Sequence, residues 1–126
     1  MAWSVLVVDD DPGFLSLTAQ ILEGLGVDVL TTAADAASAM ASAEVGRPDA
    51  VLVDVGLTDR DGVDLGQQLA ALPWRPRVVL TSSDRDAVTA MDADGPGQGL
   101  SFIPKEELAS DSLRRLLRTG AQHQQE

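Results

Sequence analysis

Val5-Leu6-Val7-Val8-Asp9-Asp10-Asp11-Pro12 is the stretch on which the reading of the fold turns. A continuous, largely β-branched apolar run suits a strand covered on both faces, as strands of parallel sheets are. It stops at three aspartates, and Asp11 before Pro12 supplies a helix N-cap followed by a first-turn proline. Phe14, Leu15, Thr18, Ile21, Leu22 and Leu25 then recur at helical spacing until Gly24 and Gly26. Strand, acidic turn and helix therefore follow one another directly.

The same alternation continues along the chain. Val27 to Leu30 reads as a second strand, and Asp35 can cap an alanine-rich helix running to about Val45, before a Gly46-Arg47-Pro48 break. Ala50 to Val53 is a third strand ending at Asp54, followed by a polar loop and a helix with Val63, Leu69 and Leu72 inward, closed by Pro73 and Pro76. Val78 to Leu80 is a fourth strand ending at Thr81-Ser82-Ser83, and Asp84 can cap a short helix that fails by Gly95-Pro96-Gly97. Leu100 to Ile103 is a fifth strand ending at Pro104-Lys105, and Ser110 or Asp111 can start a last helix carrying Leu113, Leu116 and Leu117. Short apolar runs alternating with helical segments predict an α/β fold. The expected form is a five-stranded parallel sheet with flanking helices on both faces, in flavodoxin-like order.

Composition narrows the function. The chain has 126 residues, the size of one domain, with 44% hydrophobic and 23% charged residues, an ordinary globular balance. Twenty acids against nine Lys and Arg give a net charge of -11, which disfavours direct binding to nucleic acid or to an anionic membrane. The absence of cysteine excludes disulfides and thiolate chemistry, and the single histidine, His123, lies in a polar tail. Chemistry must rest on carboxylates, hydroxyls and lysine. No apolar stretch approaches the roughly 20 residues that span a bilayer, and a cytoplasmic location is the expectation.

In open parallel sheets, ligands bind beyond the carboxyl ends of the strands. There the predicted strands deliver Asp9 and Asp10, Asp54, Thr81 and Lys105 to one edge. Crowded carboxylates repel one another and bind protons more tightly unless a cation intervenes, and oxygen ligands select a hard ion such as Mg²⁺. Magnesium takes one or two carboxylates together with phosphate oxygens. An aspartate can itself attack phosphorus while cations and a hydroxyl stabilise the transferring group, and Asp54 is placed for that role. Asp11 is fully explained as a cap and is not counted as a ligand. Phe102, on the fifth strand, reads as a core residue, and Arg114, Arg115 and Arg118 complement the carboxyl end of the last helix.

The run Val5 to Asp11, the segment Pro48 to Asp54 with Asp61-Gly62 after it, Val78 to Ser82 and Phe102-Ile103-Pro104-Lys105 together resemble bacterial response-regulator receiver domains over nearly the whole chain. The resemblance implies a phosphoacceptor signalling domain of a two-component system, not an enzyme in its own right, although it assists its own phosphorylation and dephosphorylation. By the same resemblance Asp54 is the phosphoacceptor. Asp10, Asp54 and the main-chain carbonyl of Gly56 hold Mg²⁺, Asp9 assists through water, and Thr81 and Lys105 grip the phosphoryl group. Thr81 and Phe102 form a switch pair, and the donor is a sensor histidine kinase or a phosphotransfer protein. Residues 1–119 are expected to form the receiver domain, and 120–126 a polar tail or the start of a linker.

The chain departs from the family pattern in three places. Thr58 stands where receivers commonly have proline, Lys105 is followed by Glu106 and preceded by Pro104, and Gly95 to Gly99 shortens or frays the fourth helix. A receiver-like adaptor that binds protein without phosphorylation is the alternative, and the complete acid, Thr and Lys set argues against it. A flavin-binding role is disfavoured by the lack of tyrosine and of a phosphate-binding loop.

Overall fold

The computed structural model describes residues 4–57, 61–82 and 101–105. The elements are β1 (Ser4–Val8), α1 (Pro12–Gly24), β2 (Asp28–Ala33), α2 (Ala36–Gly46), β3 (Ala50–Asp54), α3 (Gly62–Ala70), β4 (Arg77–Ser82) and β5 (Ser101–Pro104). All strand pairs are parallel, in the order β2-β1-β3-β4-β5. This is the five-stranded α/β architecture that the alternating pattern predicts. The helix expected after Asp84, the last helix and the tail lie outside the described residues.

Both faces of the sheet are covered, which explains the unbroken apolar strands. Leu6, Val8, Val51, Val53, Val78 and Leu80 face α2 and α3, packing with Ala36, Ala39, Ala43, Leu65 and Leu69. Val5, Val7, Ala50, Leu52, Val79 and Ile103 point the other way, where Leu22 of α1 is buried among them. Alternate residues of one strand thus serve two cores. The alanines of α2 let that helix sit close to the sheet.

Strand limits differ from those read in the sequence for a physical reason. β2 runs past Leu30 to Ala33, because it pairs only with β1 among the described residues and can expose Thr31 and Thr32 at the sheet edge. An apolar-run criterion misses such residues, although β-branched threonine favours strands. β4 likewise extends to Arg77 and Ser82, and β5 includes Pro104, tolerated where its missing N–H faces no described neighbour. Leu72 lies beyond the end of α3 yet still packs against the same core.

Caps set the helix starts. Asp11 Oδ1 accepts from Gly13 N at 3.0 Å and Asp35 Oδ1 from Ser38 N at 2.8 Å, as the sequence predicts. Asp61 does the same for α3, accepting from Val63 N at 3.0 Å. At the end of α2 the left-handed residue is Arg47, with φ 48°. Gly46 serves another need, since a Cβ there would run into the Leu30 side chain of β2.

The amino edge of the sheet is clasped by polar contacts. Asp49 Oδ2 accepts from Ser4 N at 2.8 Å, Trp74 Nε1 donates to the Pro48 carbonyl at 3.0 Å, and Arg77 donates to Ser101 Oγ at 2.7 Å. The Arg47 guanidinium lies 5.3 Å from the Trp74 ring centroid.

Candidate functional site

Because every strand runs the same way, the carboxyl ends of β1, β3, β4 and β5 share one edge. Asp9 follows β1, Asp54 ends β3, Thr81 lies near the end of β4 and Lys105 follows β5. The convergence expected of these four residues is present. Asp10 stands beside them and is exposed, whereas Asp9 is fully buried and Asp54 nearly so.

Asp9 is held firmly. Its N–H donates to the Ala33 carbonyl at 3.0 Å, and its Oδ1 accepts from Asp11 N at 2.9 Å. Its Oδ2 has the Lys105 ammonium at 2.7 Å and, among the described residues, no further donor. Asp54 Oδ1 accepts from Gly56 N at 3.2 Å, while its Oδ2 lies 3.6 Å from Lys105 Nζ. Lys105 therefore bridges the two buried acids and sits closer to Asp9.

Burial pushes the Asp9 carboxyl above the ordinary carboxylate value; the Lys105 ammonium and the Asp11 N–H pull it back, and the Asp54 charge adds to the rise. Repulsion between acids, the cause expected from the sequence, contributes less here than burial. For Lys105, burial works against the ammonium, but Asp9 and Asp54 together outweigh it and raise its pKa. The lysine stays charged.

Asp9, Asp10 and Asp54 each offer a carboxylate oxygen, and these oxygens lie within 4.8 Å of one another. Three acids beside one ammonium leave an excess of negative charge, and the buried Asp9 Oδ2 has acceptor capacity to spare. An all-oxygen set of this kind fits a hard divalent cation such as Mg²⁺.

Thr81 is the register partner of Asp54, and its buried hydroxyl donates to the Val53 carbonyl at 3.4 Å, a long bond. Phe102 pairs with Leu80 across β4 and β5 and is half-buried against the α2/α3 core. Gly56 lies within reach of the site through its N–H to Asp54.

Two neighbours of the site carry no assigned role in the sequence, although Gly62 belongs to the Asp61-Gly62 pair of the family resemblance. Gly62 opens α3 directly against the backbone of Asp54 and Val55, where a Cβ would collide. The Asp61-Gly62 pair before an apolar helix was the available signal for both cap and close approach. Phe14, in the first turn of α1, places its ring centroid 4.4 Å from Lys105 Nζ. The sequence marked it only as part of the helix's apolar stripe. Among the described residues no helix is long and apolar enough to cross a membrane.

Comparison with known proteins supplies the family and agrees with the fold. The family model of the response regulator receiver domain matches residues 5–118. The chain is similar to the probable transcriptional regulatory protein TcrX of Mycobacterium tuberculosis, at 35% identity over 120 residues covering 93% of this chain and 51% of that protein. It also resembles the signal receiver domain of a modulated diguanylate cyclase from Desulfovibrio desulfuricans, with TM-score 0.83, 28% identity and coverage of 99% and 98% of the two chains. A CheY-like receiver domain from Methanospirillum hungatei shares the fold, with TM-score 0.79 at 23% identity and coverage of 98% and 99%. The chain spans about half the length of the curated relatives it matches.

Proposed function

The chain belongs to the response regulator receiver domain family, and from that membership we propose that it is a phosphoryl-accepting signalling switch with Asp54 as acceptor. The observation that carries this reading is the Lys105 ammonium set between two buried carboxylates at one sheet edge, 2.7 Å from Asp9 and 3.6 Å from Asp54. Response regulators receive phosphoryl groups from histidine kinases. The donor proposed here is a phosphohistidine on a sensor kinase or phosphotransfer protein. Asp54 attacks phosphorus, the P–N bond breaks with its electrons returning to the imidazole, and an acyl phosphate results. Asp54 is favoured over Asp9 because it is the more accessible of the two buried acids, at 7% against 0% exposure.

Asp9, Asp10, Asp54 and the Gly56 carbonyl would hold Mg²⁺, which when bound supplies positive charge to the transferring phosphoryl oxygens. Lys105 and Thr81 take the remaining oxygens. The long bond from Thr81 to Val53 is readily exchanged for a stronger one to a phosphoryl oxygen. That inward movement makes room for the Phe102 ring, whose further burial biases a two-state equilibrium. Residues 1–119 act as the receiver domain and 120–126 as its tail or linker. The chain is a cytoplasmic phosphoprotein that aids its own phosphorylation and hydrolysis and signals to a downstream effector, with no nucleic acid or membrane of its own to bind.

Intact mass after acetyl phosphate and Mg²⁺ tests the reading. One phosphoryl group is expected on the wild-type chain and none on Asp54→Asn; full labelling of that variant would overturn the assignment.

A further inference from the structure

We propose that Phe14 is a positioning residue for Lys105, its ring holding the ammonium in place for phosphoryl transfer to Asp54. This rests on the phosphoacceptor reading above. The sequence places the ring: Asp11 caps α1 and Pro12 opens it immediately after the acid pair, so Phe14 falls in the first turn. A helical side chain leans toward the turn before its own Cα, which here is the acidic loop. The ring is supported beneath by the α1 core, against which Phe14 packs. Its centroid is 4.4 Å from Nζ, well inside the roughly 6 Å over which a cation is drawn to an aromatic face.

The contact answers a specific difficulty. Lysine carries a point charge on a flexible stem, and fixing it costs rotamer entropy. Asp9 binds the ammonium at 2.7 Å, but transfer needs an N–H turned toward the phosphoryl group above Asp54, whose Oδ2 is 3.6 Å away. A third carboxylate would hold Nζ by competing for those same N–H groups. An aromatic face attracts the charge without accepting a strong directional bond, so Nζ stays in place while its N–H groups remain free to change partner. The side chain of Lys105 is only 19% exposed, so water weakens the attraction less than at an open surface.

With acetyl phosphate as donor, an Asp54 oxygen forms the new bond to phosphorus, and the bond from phosphorus to the acetyl oxygen breaks to release acetate. No proton moves, and the charge on the phosphoryl oxygens meets a pre-placed Lys105.

The test compares Phe14→Leu, which keeps apolar bulk and removes the ring, with Phe14→Tyr, which keeps the ring. Labelling by acetyl phosphate with Mg²⁺ should slow roughly two- to fivefold in Phe14→Leu, the range of a weak cation–π contact, and stay near wild type in Phe14→Tyr. The Lys105 ε-methylene protons should be shifted upfield by the ring in wild type and Phe14→Tyr, and return to ordinary positions in Phe14→Leu. A merely structural role would not move that signal selectively. Wild-type labelling by Phe14→Leu overturns the proposal alone; so does equal slowing of both variants with unmoved Lys105 protons. Failure of the wild-type chain to label removes the phosphoacceptor reading, and this proposal with it.

Discussion

One methyl group, added at two different glycines, should change stability in opposite directions. At Gly62 a Cβ would be driven into the Asp54 carbonyl and the Val55 Cα, backbone atoms that cannot swing aside. Gly62→Ala should therefore cost about 1–3 kcal/mol, the usual penalty for overpacking a dense interior. At Gly24, the last residue of α1, nothing lies within 4 Å of the added carbon. Gly24→Ala should gain about 0.5–1 kcal/mol, by restricting the unfolded chain and favouring helix. Urea unfolding followed by circular dichroism reads both. With m about 1.5 kcal/mol/M, a gap of about 2 kcal/mol separates the two midpoints by roughly 1.3 M. Relief of the Gly62 collision must also displace Asp54, so Gly62→Ala should label more slowly with acetyl phosphate. Equal midpoints for wild type and Gly62→Ala would refute the close-approach argument.

Thr18 buries a hydroxyl that finds no hydrogen-bond partner among the described residues; Thr18→Val should raise stability by about 1 kcal/mol, and a loss in urea unfolding would mean that the hydroxyl is bonded after all. Asp35 caps α2, and the Ser38 N–H holds its carboxyl below the ordinary value of 3.8. A lowered pKa contributes stability above 3.8 that is lost as pH falls through the folded value. Asp35→Ala should thus lower the melting temperature at neutral pH, with the deficit narrowing in acid. Mg²⁺ should raise the melting temperature of the wild type and of Asp11→Ala, because Asp11 is a cap, while Asp10→Ala should lose most of that rise. Equal Mg²⁺ responses in the two variants would remove Asp10 from the ligand set.

The elements with strong local causes were legible in the sequence. Val5 to Val8 and Ala50 to Val53 could be read because strands covered on both faces need apolar residues throughout, and Asp11 and Asp35 because their caps act over two or three residues. No apolar run marks Thr31 and Thr32 as strand, because an edge position asks nothing apolar of them. Arg47 gave no signal of its left-handed backbone, since the neighbouring Gly46 looked like the natural residue for it. At the site, parallel topology alone brings Asp9, Asp54, Thr81 and Lys105 together, so their shared edge could be argued in advance. Which acid lies nearest Lys105, and that the ring of Phe14 covers the ammonium, depend on packing between segments far apart in sequence. No local pattern encodes those distances.

Light emitted by Trp74 would be governed by the end of the sheet opposite the acids. Its indole is fixed to the Pro48 carbonyl and flanked by Arg47 at the amino edge, while Asp54 stands at the other end of β3, about 13 Å from Ala50 along the strand. With Trp3 replaced by phenylalanine, fluorescence from this indole becomes a gauge of whether the base of the sheet is clasped. It stays dark to short-range events among the carboxylates, so one optical channel can follow unfolding in the same sample whose phosphoryl chemistry is followed by mass.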